Sequence, residues 1–151
     1  MKNKKFLTLE KAIGISFNNK EILKKSLTHK SYNNNNNNEK LEFLGDRVLG
    51  LVLSNALLKI YPNEKEGILD KKFANLVNKK TCYQISKKIG LDKYIFVGDS
   101  QKKLDKKNEK ILSDGLEALI GAIFLDQDLE IAEKFIKKNW KEFLIKSNIT
   151  I

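Results

Sequence analysis

Two apolar runs in this chain carry carboxylates at helical spacing, and no other feature constrains the fold as strongly. One run contains the string EKLEFLGD and the other contains LSDGLEALIG. Because an α-helix turns about 100° per residue, Glu39, Glu42 and Asp46 share one face of the first predicted helix. Asp114 and Glu117 share a face of the second. Burying carboxylates is costly unless their charge is compensated, so both runs predict a hard divalent cation held by oxygen ligands.

The remaining apolar residues also recur at helical spacing, and no segment alternates convincingly as a strand does. We therefore predict an all-α fold. A run of asparagines at residues 33–38 interrupts the pattern and predicts a solvated loop. The predicted helices cover residues 9–15, 20–27, 39–61, 67–78, a segment capped by Thr81 that reaches Ile89, 109–125, and an amphipathic segment that begins near Asp128.

The longest predicted helix, residues 39–61, has apolar side chains around its whole circumference, which predicts a central, buried helix. Glycines interrupt both carboxylate-bearing helices. A glycine inside a helix costs roughly 1 kcal/mol relative to alanine, so these positions indicate close approach of helices. Such an approach would bring the carboxylates together. The glycines concerned are Gly45, Gly50, Gly115 and Gly121.

Length and charge bound the class of protein. A chain of 151 residues predicts one domain, and its formal net charge is +10. This charge favours a polyanionic partner, nucleic acid before membrane, although a lysine-rich chain whose only arginine is Arg47 would show the same bias on ordinary solvated faces. The single cysteine, Cys82, excludes an internal disulfide framework and fits a cytoplasmic protein. No apolar stretch approaches the length of a membrane span.

Several common chemistries lack their residues here. Di-iron bundles need a Glu-x-x-His pair, but Ile120 stands three residues after Glu117. Zinc sites favour histidine and cysteine, and the chain has one of each, His29 and Cys82, far apart in sequence. We expect His29 to be a hydrogen-bonded structural residue rather than the base of a hydrolase triad. An all-oxygen site for Mg²⁺ or Mn²⁺ remains, and with a basic surface it points to phosphodiester chemistry.

Several motifs, in the same order, resemble those of the ribonuclease III family. The string EKLEFLGDRVL is similar to the family signature, and THKSY is similar to the segment that precedes it. An EG pair at residues 66–67 and the string ILSDGLEALIGA resemble the family's other acidic elements. The resemblance extends from about Thr28 to Trp140, and the bacterial enzymes are the nearest in pattern. It implies an all-α fold and hydrolysis of double-stranded RNA with Mg²⁺, with Mn²⁺ as a substitute. The products would have 5′-phosphate and 3′-hydroxyl ends.

The resemblance also implies roles for individual residues. The family's metal-binding carboxylates match Glu42, Asp46, Asp114 and Glu117. Among these, Asp46 and Glu117 are the strongest candidates for direct ligands. Glu39 and Glu66 match two further acidic positions at the ends of the cleavage groove, so we count them with Asp46 and Glu117 as catalytic candidates. Phe43 matches an aromatic residue that inserts into the partner subunit of a homodimer, whose two sites would leave short 3′ overhangs.

The resemblance makes residues 1–151 a ribonuclease III endonuclease domain, without the double-stranded-RNA-binding domain that usually follows it in bacterial members. We expect a role in processing ribosomal and messenger RNA, with no membrane and no small-molecule cofactor. Two alternatives remain: a non-catalytic RNA-binding protein of the same fold, and a metal-dependent hydrolase of small phosphorylated compounds. Lysines that could contact phosphates are Lys71, Lys72, Lys79, Lys80, Lys102, Lys103, Lys106 and Lys107.

Overall fold

The computed structural model describes residues 2–99 and 108–146, and the fold in these ranges is all-α, as predicted. A 3₁₀ turn (Leu91–Lys93) follows the fifth helix, and the one β-type pairing in this part of the chain is a parallel bridge between Thr28 and Phe96. The helices are α1 (Lys2–Ile13), α2 (Lys20–Ser26), α3 (Glu39–Ile60), α4 (Glu66–Val77), α5 (Lys79–Ile89), α6 (Glu109–Asp126) and α7 (Leu129–Lys146).

Several helix bounds differ from the prediction; the largest difference is at α1, which begins at Lys2 and not at residue 9. Two other ends differ for local reasons. Helix α1 ends earlier than predicted because Gly14 adopts a left-handed conformation, with φ of 73°, which glycine tolerates best. The prediction that Thr81 caps α5 is wrong. The side-chain oxygen of Asn78 accepts the backbone N–H of Thr81 at 2.8 Å, so α5 begins at Lys79. Thr81 lies inside the first turn instead.

The asparagine run is only partly the solvated loop that we predicted. Residues 33–36 are exposed, but Asn37 and Asn38 are buried. The amide of Asn38 donates to the backbone oxygen of Ser26 at 3.2 Å, and the side-chain oxygen of Asn37 accepts the N–H of Glu39 at 3.1 Å. Asparagine side chains can satisfy backbone groups in this way. The last two asparagines therefore hold the start of α3 against the end of α2.

Helix α6, rather than α3, occupies the centre of the fold. It packs against α2, α3, α5 and α7 and is buried along most of its length. The prediction that α3 is buried all round is wrong, because Phe43, Leu51 and Leu58 are 62%, 59% and 58% exposed. These side chains lie on the side of α3 that faces away from α6. Although α6 is strongly apolar, none of the described helices is long and apolar enough to cross a membrane.

Helices α3 and α6 form the most extensive helix contact, and their backbones touch. A Cβ atom on Gly45 would overlap the carbonyl oxygen of Glu117, and one on Gly121 would overlap the α3 backbone. The predicted close approach is confirmed at these two glycines. Gly115 instead packs against a side chain from the loop after α5, and Gly50 faces α4. The crossing of α3 and α6 is thus fixed by main-chain contact.

Candidate metal centre

The crossing of α3 and α6 brings three carboxylates from two distant parts of the sequence together. Glu42 comes from the start of α3, and Asp114 and Glu117 come from α6. One oxygen of each lies within 4.8 Å of the other two, and all three residues are partly buried. Because Gly45 touches the backbone at Glu117, the spacing of the carboxylates is set by the helix contact itself. A triangle of hard oxygens of this size suits a divalent cation.

Burial and mutual repulsion disfavour negative charge on the carboxylates of the cluster. Burial is the main cause that raises the pKa of Glu117 to about 9, followed by a hydrogen bond with Asp46 and repulsion from neighbouring carboxylates. Burial also raises the pKa of Glu42, with repulsion from Asp114 adding to it and Lys110 opposing it. A group whose neighbours disfavour its charge binds a proton or a cation more tightly. The donor set therefore fits a bound divalent cation.

Asp46 lies at the edge of this cluster. Its carboxylate is in hydrogen-bond contact with that of Glu117, one helix turn after Glu42 on the same face of α3. Its other partner is Arg47, whose guanidinium lies 3.3 Å from the Asp46 carboxylate and 4.0 Å from the centre of the Phe43 ring. The structure thus brings the four predicted metal-binding carboxylates into one group, with three in a tight triangle and Asp46 beside them.

One site residue, Lys110, was missed by our sequence reasoning. Its ammonium donates to the carboxylate of Asp114 at 2.6 Å, and this bond together with the charge of Asp114 raises the pKa of Lys110. The negative charges of Glu42 and Glu117 also raise the pKa of Lys110. The two partners stand four residues apart on α6, a spacing that predicts such a pair. The ion pair could therefore have been predicted from the sequence, because Lys110 and Asp114 share a helix face.

A small cleft opens beside the cluster. Its lining residues include Glu39, His29 and Lys30. The ring nitrogen Nδ1 of His29 lies 2.7 Å from the hydroxyl of Ser31 and accepts the Ser31 backbone N–H at 3.1 Å. His29 is therefore hydrogen-bonded within its own turn, as predicted. The cleft thus opens beside the carboxylates and is lined by both acidic and basic side chains.

The buried thiol of Cys82 lies on α5 near this cluster. Burial, followed by the charges of Glu117, Asp46 and Asp114, raises the pKa of Cys82 to about 12. The thiol is therefore protonated at neutral pH, and a protonated thiol is neither a good nucleophile nor a good zinc ligand. The structure agrees with an oxygen-ligated site in which Cys82 serves as a small apolar residue.

The other predicted site residues lie elsewhere. Glu66 begins α4, is exposed, and belongs to neither the carboxylate cluster nor the cleft in the described part of the chain. Phe43 is largely exposed. Three predicted lysines, Lys71, Lys72 and Lys80, line a separate depression that Lys79 does not line. The predicted lysines that lie outside the described residues are Lys102, Lys103, Lys106 and Lys107.

Sequence comparisons relate this chain to known proteins of one family. A protein-family model described as Ribonuclease-III-like matches residues 19–143. Ribonuclease 3 of Pelagibacter ubique is 55% identical over 144 residues, which are 95% of this chain and 65% of that protein. The chain spans between half and two thirds of the length of such curated relatives.

Solved structures give the same result. The nuclease domain of ribonuclease III from Campylobacter jejuni has a TM-score of 0.82 at 37% identity, over 95% of each chain. A second structure of that domain, described for structural flexibility in a region involved in dimer formation, has a TM-score of 0.84 at 39% identity, over 88% of this chain and 96% of that one. The fold and the site together define a class of protein, namely an all-α domain that carries acidic residues where two helices cross. The chain belongs to the Ribonuclease-III-like family.

Proposed function

We propose that this chain is an endoribonuclease that hydrolyses phosphodiester bonds of double-stranded RNA with the help of a divalent cation, Mg²⁺ by preference and Mn²⁺ as a substitute. The observation that carries the proposal is the triangle of Glu42, Asp114 and Glu117, whose oxygens lie within 4.8 Å of one another. The net charge of +10 and membership of the Ribonuclease-III-like family support RNA as the substrate.

The residues that would hold the cation are Glu42, Asp114 and Glu117, with Asp46 at the edge. When bound, the cation would lower the pKa of a water molecule and offset negative charge on the phosphate. The preference for Mg²⁺ follows from an all-carboxylate donor set, which suits hard cations better than zinc or copper. The pKa of Glu117 is raised to about 9, so this carboxyl would release a proton when the cation binds near neutral pH. Burial raises the pKa of Glu42 in the same direction.

The other cleft residues would guide the substrate. Lys30 and Lys110 are exposed residues that line the cleft, so their positive charge can attract a phosphate towards the cluster. Glu39 lines the same cleft. We propose Glu39 and Glu66 as further acidic residues along the path of the duplex, with Glu66 acting away from the cluster of its own chain. The fixed contact between α3 and α6 would keep the carboxylates in place while the duplex binds.

The experiment is cleavage of a labelled RNA duplex by the Glu117→Gln variant in Mg²⁺, with duplex binding measured separately in Ca²⁺. Cleavage should fall by more than about a hundredfold, because even loss of an outer-shell metal partner typically costs 10–100-fold. Binding should stay near wild type, since the lysines are untouched. The control is Glu130→Gln, an exposed carboxylate on α7. Near-normal cleavage by Glu117→Gln would refute the assigned site.

The same assay decides between the proposal and its two alternatives. A non-catalytic RNA-binding protein would bind the duplex without cutting it in any cation. A hydrolase of small phosphorylated compounds would act on such compounds and leave duplex RNA intact. The product ends, which we propose to be 5′-phosphate and 3′-hydroxyl, can be read on the same gels. Roles in processing ribosomal and messenger RNA, and a cytoplasmic location, remain predictions from the sequence.

We also propose that the protein works as a homodimer. Phe43, Leu51 and Leu58 expose large apolar side chains on α3, and Leu51 and Leu58 share a shallow depression with Leu129 of α7. Large exposed apolar side chains on one helix are typical of a protein interface. A two-fold axis through it would place two identical sites on one duplex, and paired cuts across a minor groove would leave short 3′ overhangs.

The dimer is tested by placing a charge on this surface. Phe43→Glu should shift the protein to monomers by light scattering and should reduce paired cutting of the duplex, because burying an unpaired carboxylate in an interface is costly. Leu7→Glu is the control, since Leu7 is 48% exposed on α1, outside this surface. A wild-type monomer that still makes paired cuts would contradict the proposal.

A further inference from the structure

A second depression lies among α4, α5 and α7, and its charge is opposite to that of the metal centre. Four lysines line it, together with amide side chains such as Asn75 and Gln84, and its lining contains no aspartate or glutamate. We call it the lysine groove. It shares no lining residue with the cleft beside the carboxylates. The four lysines of the groove are Lys71, Lys72, Lys80 and Lys146.

Lys72 is the unusual member of the lysine groove. Only 4% of its surface is exposed, whereas surface lysines are normally solvated. Among the described residues it has neither an ion pair nor a hydrogen bond; its ammonium lies 4.1 Å from the centre of the Tyr61 ring. A cation over an aromatic ring recovers part of the solvation that burial removes. The Lys72 ammonium nitrogen is not among the fully enclosed polar atoms without a partner, so its N–H donors stay open to solvent or to an anion in the groove.

Two hydrogen bonds next to the lysine groove fix the position of α7. The hydroxyl of Tyr61 donates to the backbone oxygen of Leu144 at 2.8 Å, which ties the ring beneath Lys72 to α7. The indole N–H of Trp140 donates to the backbone oxygen of Leu76 at 2.8 Å, and Leu76 lines the groove. Both bonds join α7 to another part of the fold. The lysines therefore converge on a depression that exists before any ligand binds.

Helix α5 separates the lysine groove from the metal centre. Lys80 and Thr81 line the groove, while the next residue, Cys82, lies near enough to the carboxylates of Asp46 and Glu117 for their charge to raise its pKa. The two sides of α5 therefore face clusters of opposite charge. An anion in the groove would be surrounded by four lysine residues and would share no lining residue with the cleft beside the acidic cluster.

We infer that the lysine groove is a phosphate-binding site distinct from the metal centre. Several ammonium donors around one depression, with amide donors beside them and no acid, match a multiply charged oxyanion better than a single carboxylate. The phosphate could belong to a free phosphorylated compound or to the backbone of an RNA duplex. The inference stands apart from the proposed cleavage reaction, because it needs neither a cation nor turnover.

The test uses sodium pyrophosphate as the probe, in a buffer that contains EDTA so that no divalent cation can bind it or the carboxylates. Trp140 is the only tryptophan and lies beneath the groove, so its fluorescence gives a readout beside calorimetry. Lys72→Met should weaken binding about ten-fold or more, as expected for the loss of a charged hydrogen-bond donor. Lys79→Met is the matched control, because Lys79 is exposed next to Lys80 in the first turn of α5 but does not line the groove.

A second variant and a second anion keep the test decisive. Lys80→Met removes an exposed groove lysine without touching the buried position, so its loss of binding cannot come from misfolding around Lys72. Sodium sulfate at equal ionic strength separates site binding from screening. The inference is overturned if wild type does not bind pyrophosphate, or if Lys72→Met and Lys80→Met bind it as well as Lys79→Met does.

Duplex RNA then identifies the source of the phosphate. If the groove holds the RNA backbone, Lys72→Met should weaken duplex binding in Ca²⁺, lower its salt dependence, and make pyrophosphate a competitor. If the groove holds a free compound, the variant should lose pyrophosphate binding and bind RNA normally. Both results support the site. Loss of cleavage in Glu117→Gln with normal pyrophosphate binding would show that the two proposals stand independently.

Discussion

The metal centre and the lysine groove gather like charges in two different ways. At the metal centre, the backbones of α3 and α6 touch at Gly45, and this contact forces Glu42 and Glu117 together. At the lysine groove, long side chains converge from three helices, and one of them, Lys72, is buried on an aromatic ring. The comparison teaches that a backbone contact can fix carboxylates at short range, whereas a basic groove can form from long side chains that meet only in the folded protein. The ligands that we propose for the two regions accordingly have opposite charges.

The largest effect should come from breaking the main-chain contact that builds the metal centre. In Gly45→Ala, the added Cβ would collide with the carbonyl oxygen of Glu117, and backbone cannot move aside as a side chain can. We expect a loss of about 3 kcal/mol or more in the free energy of unfolding, the upper end for overpacking. Urea unfolding followed by circular dichroism measures it.

The control for that substitution lies on the same helix. A Cβ on Gly50 would meet the ring of Phe73 at 3.6 Å, an ordinary contact, so Gly50→Ala should be neutral or stabilising by up to about 1 kcal/mol. Equal destabilisation by both substitutions would mean that Gly45 matters only as a helix residue. The account of how the carboxylates are brought together would then be wrong.

A smaller effect should appear in the pH dependence of stability without metal. The pKa of Glu117 is raised to about 9 in the folded protein, so the folded state binds this proton more tightly than the unfolded state. The resulting stabilisation is complete below the ordinary carboxyl pKa of 4.5 and is lost as the pH rises through the folded value. Thermal melts in EDTA should therefore show a falling Tm between about pH 5 and about pH 9.

Two comparisons sharpen the pH experiment. Glu117→Gln cannot lose a proton there, so its Tm should depend less on pH over the same range. The groove variant Lys72→Met should keep the wild-type slope, because Lys72 lies away from the carboxylates. The window begins above the range in which Asp126, whose pKa is lowered by hydrogen bonds from Asn18, Gln127 and Asn19, would add an opposite dependence. A wild-type Tm that does not change with pH over this range would contradict the raised pKa of Glu117.

The smallest effect concerns the lysine beside the carboxylates. Lys110→Met removes an ammonium that hydrogen-bonds Asp114 at 2.6 Å, so Asp114 becomes freer to bind a cation. We expect Mn²⁺ affinity to rise about two- to five-fold, because Lys110 is largely exposed and exposed pairs are worth under about 1 kcal/mol. Lys134→Met, which breaks a similar helical pair with Glu130 on α7, should leave the affinity unchanged. Weaker Mn²⁺ binding in Lys110→Met would show that the lysine organises the site instead of competing for it.

The same two regions show what the sequence could predict. The carboxylates were predictable because their helical spacing sets them on shared faces, and the glycine at Gly45 signalled the close crossing. The lysine groove was not predictable, since it depends on how α4, α5 and α7 pack. Helical spacing places Lys72 on the same face of α4 as Leu76, but it does not predict that the Lys72 ammonium lies over the ring of Tyr61. The burial of Asn38 depends on the end of α2 in the same way.

The central claim is that the carboxylates at the crossing of α3 and α6 bind a divalent cation. Mn²⁺ titration followed by electron paramagnetic resonance measures bound metal directly, without RNA or turnover. Wild type and the control Glu130→Gln should bind Mn²⁺ alike, while Glu117→Gln should bind it at least about ten-fold more weakly, because it loses a charged ligand of the triangle. Equal Mn²⁺ affinity in wild type and Glu117→Gln would contradict the account.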